Sequence, residues 1–378
     1  MVFDCHHFSP PVPMRATIHD IAHAADVSTA TVDRVLNDRD GVRSKTRDHV
    51  LAIAKRLGYF GETGPSADEG VRMDFVLPAG TNSFMAALGR HLLEEAATRP
   101  RVRPTLHLVE GFSAEKLALK LYELRGHTDS VGLVGLDHPQ VRDAIVSLRD
   151  SGVKVATLVS DIPIAARMAY VGIDNRAAGR LAGLLLGRFL PAGVEHRIAV
   201  FVGSLAYRGH EEREMGFRSV LAEEFPHLRI ARILEIGDDR ELAYQLTGQL
   251  LREEAPAGIY NIGAGNQGIA RALQEAGRQR DTVYIGHDLT DATQRLLLDR
   301  TMDAVIDQNP RVEAREVVRA LAAAVRGESE PSYLPRLQVI FRENIPVAYK
   351  RPECRWAKLG APRRRRRSGA VAAYWAGS

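Results

Sequence analysis

Residues Thr17 to Tyr59 read TIHDIAHAADVSTATVDRVLNDRDGVRSKTRDHVLAIAKRLGY. Thr17 is a suitable N-cap for a helix over Ile18–Ala25, in which Ile18, Ile21, Ala22 and Ala25 recur at helical period and leave His19 and His23 outside. A short turn follows, with Asp26 where a left-handed conformation is expected, one that Asp tolerates better than most side chains. Ser28 caps a second helix. Its Val32, Val35 and Leu36 fall on one side, while Thr29, Ala30, Asp33, Arg34 and Asn37 fall on the other. Ser44 is expected to cap a third helix, whose Val50, Ile53, Ala54 and Leu57 close a small core before Gly58 stops it. Two helices joined by a tight turn, the second presenting small, hydroxylated and cationic groups from its first turns, have the geometry of a helix-turn-helix that enters the major groove of DNA. A bundle used only to dock another protein has no need of this Ser-x-x-Thr-Val-x-Arg spacing.

From Arg72 onward short β-branched runs alternate with amphipathic stretches. Strands are predicted over 74–77, 105–109, 131–135, 153–159, 197–202, 230–235, 258–261, 283–285 and 303–307, with helices between many of them, such as 84–97, 140–151, 176–190, 212–224, 240–254, 267–276 and 290–299. Such alternation gives parallel sheets flanked by helices, here with too many strands for one sheet and therefore two lobes. Gly263-Ala264-Gly265-Asn266-Gln267-Gly268 fits a dinucleotide fingerprint, follows a strand, opens a helix and has Asp288 about 20 residues on. It begins too late in the chain to be followed by a complete dinucleotide-binding sheet and a substrate domain, so a dehydrogenase is the weaker reading.

The first stretch resembles the DNA-binding headpiece of the LacI/GalR family of bacterial repressors, whose pattern TIxDIAxxAxVSxxTVxRVLN, then VxxxTRxxVxxxAxxLGY, is matched without a gap from Thr17 to Tyr59. The resemblance implies that Thr17, Ser28, Thr31 and Asn37 hold phosphates and that Thr29, Ala30 and Arg34 reach base edges, Arg34 favouring guanine. Arg43, Lys45 and Thr46 would add backbone contacts, and His19 and Asp33 complete the candidate DNA-binding set. Asp33 departs from the small neutral residue common at its position; it either accepts from cytosine N4 or repels phosphate. A second departure is Phe60-Gly61-Glu62-Thr63-Gly64-Pro65-Ser66-Ala67-Asp68-Glu69-Gly70, a flexible acidic linker where the family usually places a hinge helix with a minor-groove leucine.

The remainder is similar, more loosely, to the periplasmic-binding-protein-like effector domain of the same family. Val171-Gly172-Ile173-Asp174-Asn175 matches its first crossover between lobes, Arg213-Glu214-Met215-Gly216-Phe217 its Arg-x-x-Gly-Phe helix, Ile285-Gly286-His287-Asp288 a later segment, and Val305-Ile306-Asp307-Gln308 the region of the return crossover. The resemblance implies an effector crevice at the C-terminal ends of strands. It would be lined by Asn82, Phe84, Asp137, Ser160, Asp161 and Arg167 from one lobe, and by Arg213, Asn261, Asn266 and Asp288 from the other, with Gln308 from the crossover. Carboxylates, amides, an Arg and a Phe suit a sugar, sugar derivative or polyol.

The expected architecture is therefore α/β: a small all-α helix-turn-helix headpiece followed by a two-lobed periplasmic-binding-protein-like domain with parallel sheets flanked by helices. Its divisions are an extension over 1–13, the headpiece over 14–60, a linker over 61–71, the effector domain over 72–349 and a basic tail over 350–378. The expected partners are double-stranded operator DNA, a small effector and a second copy of the chain in a homodimer, or a tetramer; no cofactor, metal, catalytic constellation or membrane contact is expected. A net charge of +4 suits a nucleic-acid partner, although the Arg363–Arg367 run supplies part of it. Two cysteines, Cys5 and Cys354, cannot form a disulfide framework, and no apolar run approaches 18 residues. The amino end lacks the pattern of a secretory signal, which a transport-associated solute-binding protein would carry, so the cytoplasm is the expected compartment.

Overall fold

The computed structural model describes residues 17–36, 41–57, 70–162, 166–329 and 331–346. It opens with α1 (Ile18–Ala25), α2 (Thr29–Leu36) and α3 (Ser44–Arg56). Thr17 caps α1 reciprocally: its hydroxyl accepts from the Asp20 N–H, and the Asp20 carboxylate accepts from the Thr17 N–H at 2.6 Å. Asp26 ends the helix at φ 51°. The Ser28 Oγ accepts from the Thr31 N–H at 3.2 Å. Ile21, Ala22, Ala25, Val32, Val35, Val50, Ile53 and Ala54 form the small core. Two expectations need correction. Ser44 is the first residue of α3 rather than the residue before it. Leu57 stays 36% exposed, because α3 ends at Arg56 and the next side chain leaves the apolar face. Asn37, the Gly58 stop, the linker up to residue 69, both cysteines and the arginine run lie outside the described residues.

The first lobe comprises β1 (Val71–Ala79), α4 (Ser83–Ala97), β2 (Val102–Glu110), α5 (Ala114–Leu124), β3 (Ser130–Leu133), α6 (Pro139–Asp150), β4 (Lys154–Leu158) and β5 (Ala169–Val171). Its strands are all parallel, in the order β2-β1-β3-β4-β5. The second lobe follows with α7 (Asn175–Phe189), β6 (His196–Val202), α8 (Arg208–Glu224), β7 (Leu228–Glu235), α9 (Arg240–Glu253), β8 (Gly258–Asn261), α10 (Asn266–Glu275), β9 (Val283–His287), α11 (Asp291–Leu298) and β10 (Ala304–Asp307). Its order, β7-β6-β8-β9-β10, repeats that of the first lobe, so each sheet has a switch point where consecutive strands diverge.

The chain then crosses back. Helix α12 (Pro310–Val325) packs on α4 and on β3, β4 and β5, and its Ala314, Val317, Val318 and Leu321 enter the core of the first lobe. A third crossing, not foreseen from sequence, carries β11 (Gln338–Ile340) to the second sheet, where it pairs antiparallel with β10. On the way Tyr333 bridges Val171. Both unforeseen strands, β5 and β11, have three residues, too few for a period to be visible.

Inside the second lobe, Gly179, Gly183 and Gly187 recur every fourth residue and cut a groove along α7 into which α8 settles. A Cβ on Gly179 would lie 1.9 Å from the Arg213 carbonyl oxygen, and one on Gly216 would lie 2.1 Å from that of Arg176. The two helices thus approach backbone to backbone. Among the described residues no helix is long and apolar enough to cross a membrane.

Candidate functional site

On the headpiece, Ala30 and Arg34 are exposed and Thr29, Thr31 and Asp33 are half-buried on the side of α2 away from its core; His19, Arg43 and Lys45 are exposed and Thr46 half-buried. The Ser28 and Thr31 hydroxyls are 2.9 Å apart; one donates to the other, leaving a single proton of the pair to give to an external acceptor. Thr17 is more constrained. Its hydroxyl proton goes to Asp20 at 2.7 Å and its backbone N–H to the same carboxylate, so it must release Asp20 before it can donate to a phosphate. Those bonds from Thr17 hold the Asp20 carboxyl below its ordinary range.

Between the lobes, at the C-terminal ends of the strands, lie two small adjoining cavities. Asn82, Phe84, Asp238, Gly263 and Asp288 line both. Asn82 caps α4, its Oδ1 accepting from the Phe84 N–H at 3.0 Å, and its Nδ2 reaches across the cleft to donate to the Asp238 carboxylate at 3.0 Å. A second tie between lobes is the Gly209 N–H donating to the Ser160 Oγ at 3.3 Å.

Arg213 is buried at the cleft floor, where its Nε donates to Asn175 Oδ1 at 2.8 Å and its Nη1 to the Ile262 carbonyl at 2.9 Å. The glycine-mediated contact of α7 with α8 sets this position, because Asn175 opens α7 and Arg213 rides on α8. Asp288, at φ 70°, accepts from Gln308 Nε2 at 2.7 Å. Burial pushes its carboxyl up to about 7; Arg213 and the Gln308 bond oppose the shift, and the charges of Asp307 and Asp238 add to it. His210 and His287 are held below the usual imidazole range by burial, His210 to about 4, so both are neutral at pH 7. Val159, Asp238 and Asp288 all line the cleft with left-handed backbones, at φ 63°, 55° and 70°. Strain of this kind clusters at functional sites.

Seven of the eleven sequence-derived crevice residues line these cavities: Asn82, Phe84, Ser160, Arg213, Asn266, Asp288 and Gln308. Four do not. Asp137 pairs with Arg142 at 2.7 Å, and Asp161 accepts from Arg167 at 2.7 Å and from Thr157 at 2.6 Å. Asp137 and Asp161 also act electrostatically on Arg208 of the other lobe. Asn261 is fully buried, its amide donating to the Gly263 and Ala264 carbonyls and to Asn266, so it braces the β8–α10 turn. That turn is the glycine motif noted in the sequence: Gly265 takes φ 95°, and a Cβ on Gly268 would meet the Arg240 carbonyl at 2.0 Å.

Sequence reasoning missed Asp238, Tyr207 and His210. Asp238 carried a usable signal: Gly237-Asp238-Asp239 follows β7 as Asp288 follows β9, at the C-terminal end of a strand. Its Oδ1 accepts from the Ala264 N–H at 2.9 Å, and a Cβ on Gly203 or Gly263 would collide with the same oxygen.

Residues 17–61 match the family described as bacterial regulatory proteins, lacI family, and residues 73–329 match the periplasmic binding protein domain. Curated relatives include the HTH-type transcriptional regulator DegA of Bacillus subtilis (strain 168), 26% identical over 289 residues that cover 73% of this chain and 82% of DegA. Catabolite control protein A of Priestia megaterium is 26% identical over 287 residues, 73% of this chain and 83% of the relative. Among solved structures, GanP, a glucose-galactose binding protein from Geobacillus stearothermophilus, superposes with a TM-score of 0.67 at 24% identity over 74% of this chain and all of GanP, a likeness of fold.

Proposed function

We propose that this chain, which belongs to the periplasmic binding protein domain family over residues 73–329 and matches the lacI family of bacterial regulatory proteins over residues 17–61, is a sequence-specific transcriptional repressor whose operator binding is set by a small sugar-like effector held between the lobes. The observation that carries this reading is the conjunction, in one chain, of a helix-turn-helix with Ala30 and Arg34 exposed on its second helix and a two-lobed domain with a polar cleft. Thr29, Ala30 and Arg34 read bases, Arg34 as a guanine reader, with Asp33 beside them. Ser28, Thr31, Asn37, Arg43, Lys45 and Thr46, together with His19 and Thr17 once it frees Asp20, lie along the phosphates. A homodimer would set two headpieces on a pseudo-palindromic operator. The protein works in the cytoplasm and as a binder rather than an enzyme.

The three crossings supply the hinge. Effector contacts made from both lobes favour one relative orientation, and since α12 and β11 tie the lobes from the far end of the chain, closure rotates them as bodies. Supporting this, the interlobe ties of Asn82 with Asp238 and of Ser160 with Gly209 belong to one orientation and must lengthen in another. The test is fluorescence anisotropy of the full chain on DNA from upstream of its own gene, at low salt, with and without sugars. Salt-sensitive, sequence-selective binding altered by a sugar is expected; binding equal to that of a scrambled duplex under every condition ends the reading.

A further inference from the structure

We propose that Glu313, at the crossing that brings the chain back to the first lobe, is a proton-binding residue through which pH sets the relative orientation of the lobes: protonated it favours the present, tied orientation, and ionised it favours one that admits water. Helix α12 starts at Pro310, just after β10 leaves the second lobe, and Glu313 stands in its first turn. The side chain is fully buried, and neither carboxyl oxygen has a hydrogen-bond partner among the described residues. Helical spacing sets it on one face with Val317, Ala320 and Ala324, all buried, so an acid occupies a place that the period would give to an aliphatic side chain. Glu316 on the same helix shows how a buried acid is ordinarily satisfied: it accepts from Arg315 and from Arg319, each at 2.9 Å. Glu313 has no such cation against it.

The groups around Glu313 straddle the lobe boundary. Arg213, Asp288 and Asp307 of the second lobe act on its charge, and its charge in turn acts on Tyr170 of β5 in the first. No charge of α4, β3 or β4, which also pack on α12, acts on it, and Arg311 and Arg315 of its own helix are exposed. Burial pushes the Glu313 carboxyl well above its ordinary range; Asp288 adds to the shift, Arg213 opposes it and Asp307 adds again. The amino end of α12 favours negative charge, but weakly beside the cost of holding an unpartnered carboxylate away from water. Among the described residues no set of three or more His, Cys, Asp or Glu side chains is placed to hold a metal ion, so the counter-charge open to Glu313 is a proton. Separating the lobes admits water to the carboxyl and withdraws the two aspartates, and both changes restore its ordinary acidity. The tied orientation thus holds the proton more tightly than an open one. It is favoured at low pH and loses that advantage as the pH rises through the carboxyl's raised value.

The experiment measures the distance between spin labels at Gln140→Cys and Arg240→Cys, exposed positions at the starts of α6 and α9, on the cleft side of each lobe. The full chain also carries Cys5→Ser and Cys354→Ser, and labelled protein is diluted into unlabelled protein so that only distances within one chain are read. No effector is added. With Glu313 in place the distance should lengthen between about pH 5 and pH 9 with one-proton steepness, going from one-tenth to nine-tenths complete over about two pH units. Glu313→Gln, which cannot ionise, should keep the short distance throughout. Its melting temperature reports whether it folds; should it fail, Glu313→Leu provides the same comparison. In an Asp288→Asn background the midpoint should move to lower pH, because the charge removed is one that raises Glu313. A distance indifferent to pH, or one that changes equally with Glu313 and with Gln at that position, overturns the proposal. Stability that falls with pH through Glu313 while the distance stays fixed overturns the link between its proton and the lobes.

Discussion

Arg34 and Asp288 show what single side chains contribute. Arg34 is exposed in the last turn of α2, on the side opposite Val32 and Val35, and nothing in the core depends on it. Replacing it with Ala should leave the melting temperature within about a degree while weakening operator binding by about 1–3 kcal/mol and relaxing preference at one base pair. Binding to a library of single-position operator variants checks this; a uniform loss across the library would make Arg34 a phosphate contact. Asp288 supplies a pH signature. Burial raises its carboxyl to about 7 in the folded chain against 3.8 for the free group, so the native state holds its proton more tightly than the unfolded state. Its contribution to stability is thus most favourable below about pH 4 and is lost as pH rises toward 7. Relative to Asp288→Asn, the native sequence should lose stability steadily between pH 4 and 7 in urea titrations. The folded carboxyl ionises around pH 7, so affinity for an effector that donates a hydroxyl proton to it should rise as the pH passes through that value. A pH-independent difference between the two proteins would show that Asp288 titrates normally.

At the scale of elements, the α7–α8 pair connects packing to the site. Gly179→Ala places a methyl group against the Arg213 carbonyl, with backbone on both sides and no flexible side chain to yield. A loss of about 1–3 kcal/mol is expected from the overpacking, together with weaker effector binding as α8 carries Arg213 outward. Gly248→Ala in α9 is the contrast. Its new methyl would meet only the end of Arg252 at 3.5 Å, and a stabilisation of about 0.4–1 kcal/mol is expected. Urea unfolding of both variants tests the pair. The same scale explains what the sequence disclosed. The headpiece helices were legible because period, caps and the Asp26 turn are local signals, whereas Asn82, Asp288 and Gln308 were reached through the family resemblance, each standing just beyond a strand and lining the cavities. Asp137, Asp161 and Arg167 have the same local signal, but they pair with nearby opposite charges and line neither cavity. Position along the chain cannot reveal such pairing. Asp238 escaped notice because its strand, β7, is the edge of the second sheet, and its reach into the cleft depends on a tight approach to Gly203 and Gly263.

For the whole molecule, the lobes are interleaved rather than strung in series. The first lobe lacks part of its core until α12 arrives, more than 130 residues after β5, and the second sheet presents β10 as an open edge until β11 covers it. A chain ended after residue 330 should therefore keep the helix-turn-helix but show a less cooperative unfolding transition and a tendency to associate through β10. Sedimentation and urea unfolding, compared with the full chain, test this; equal cooperativity would mean that the final strand is dispensable.

That late return has a further meaning for biogenesis. Proteins whose compartments are laid end to end can finish one while the ribosome is still making the next, but here neither compartment can mature early. Only the amino-terminal helices are complete soon after synthesis, so a nascent chain offers its nucleic-acid reader long before the part that would govern it has closed.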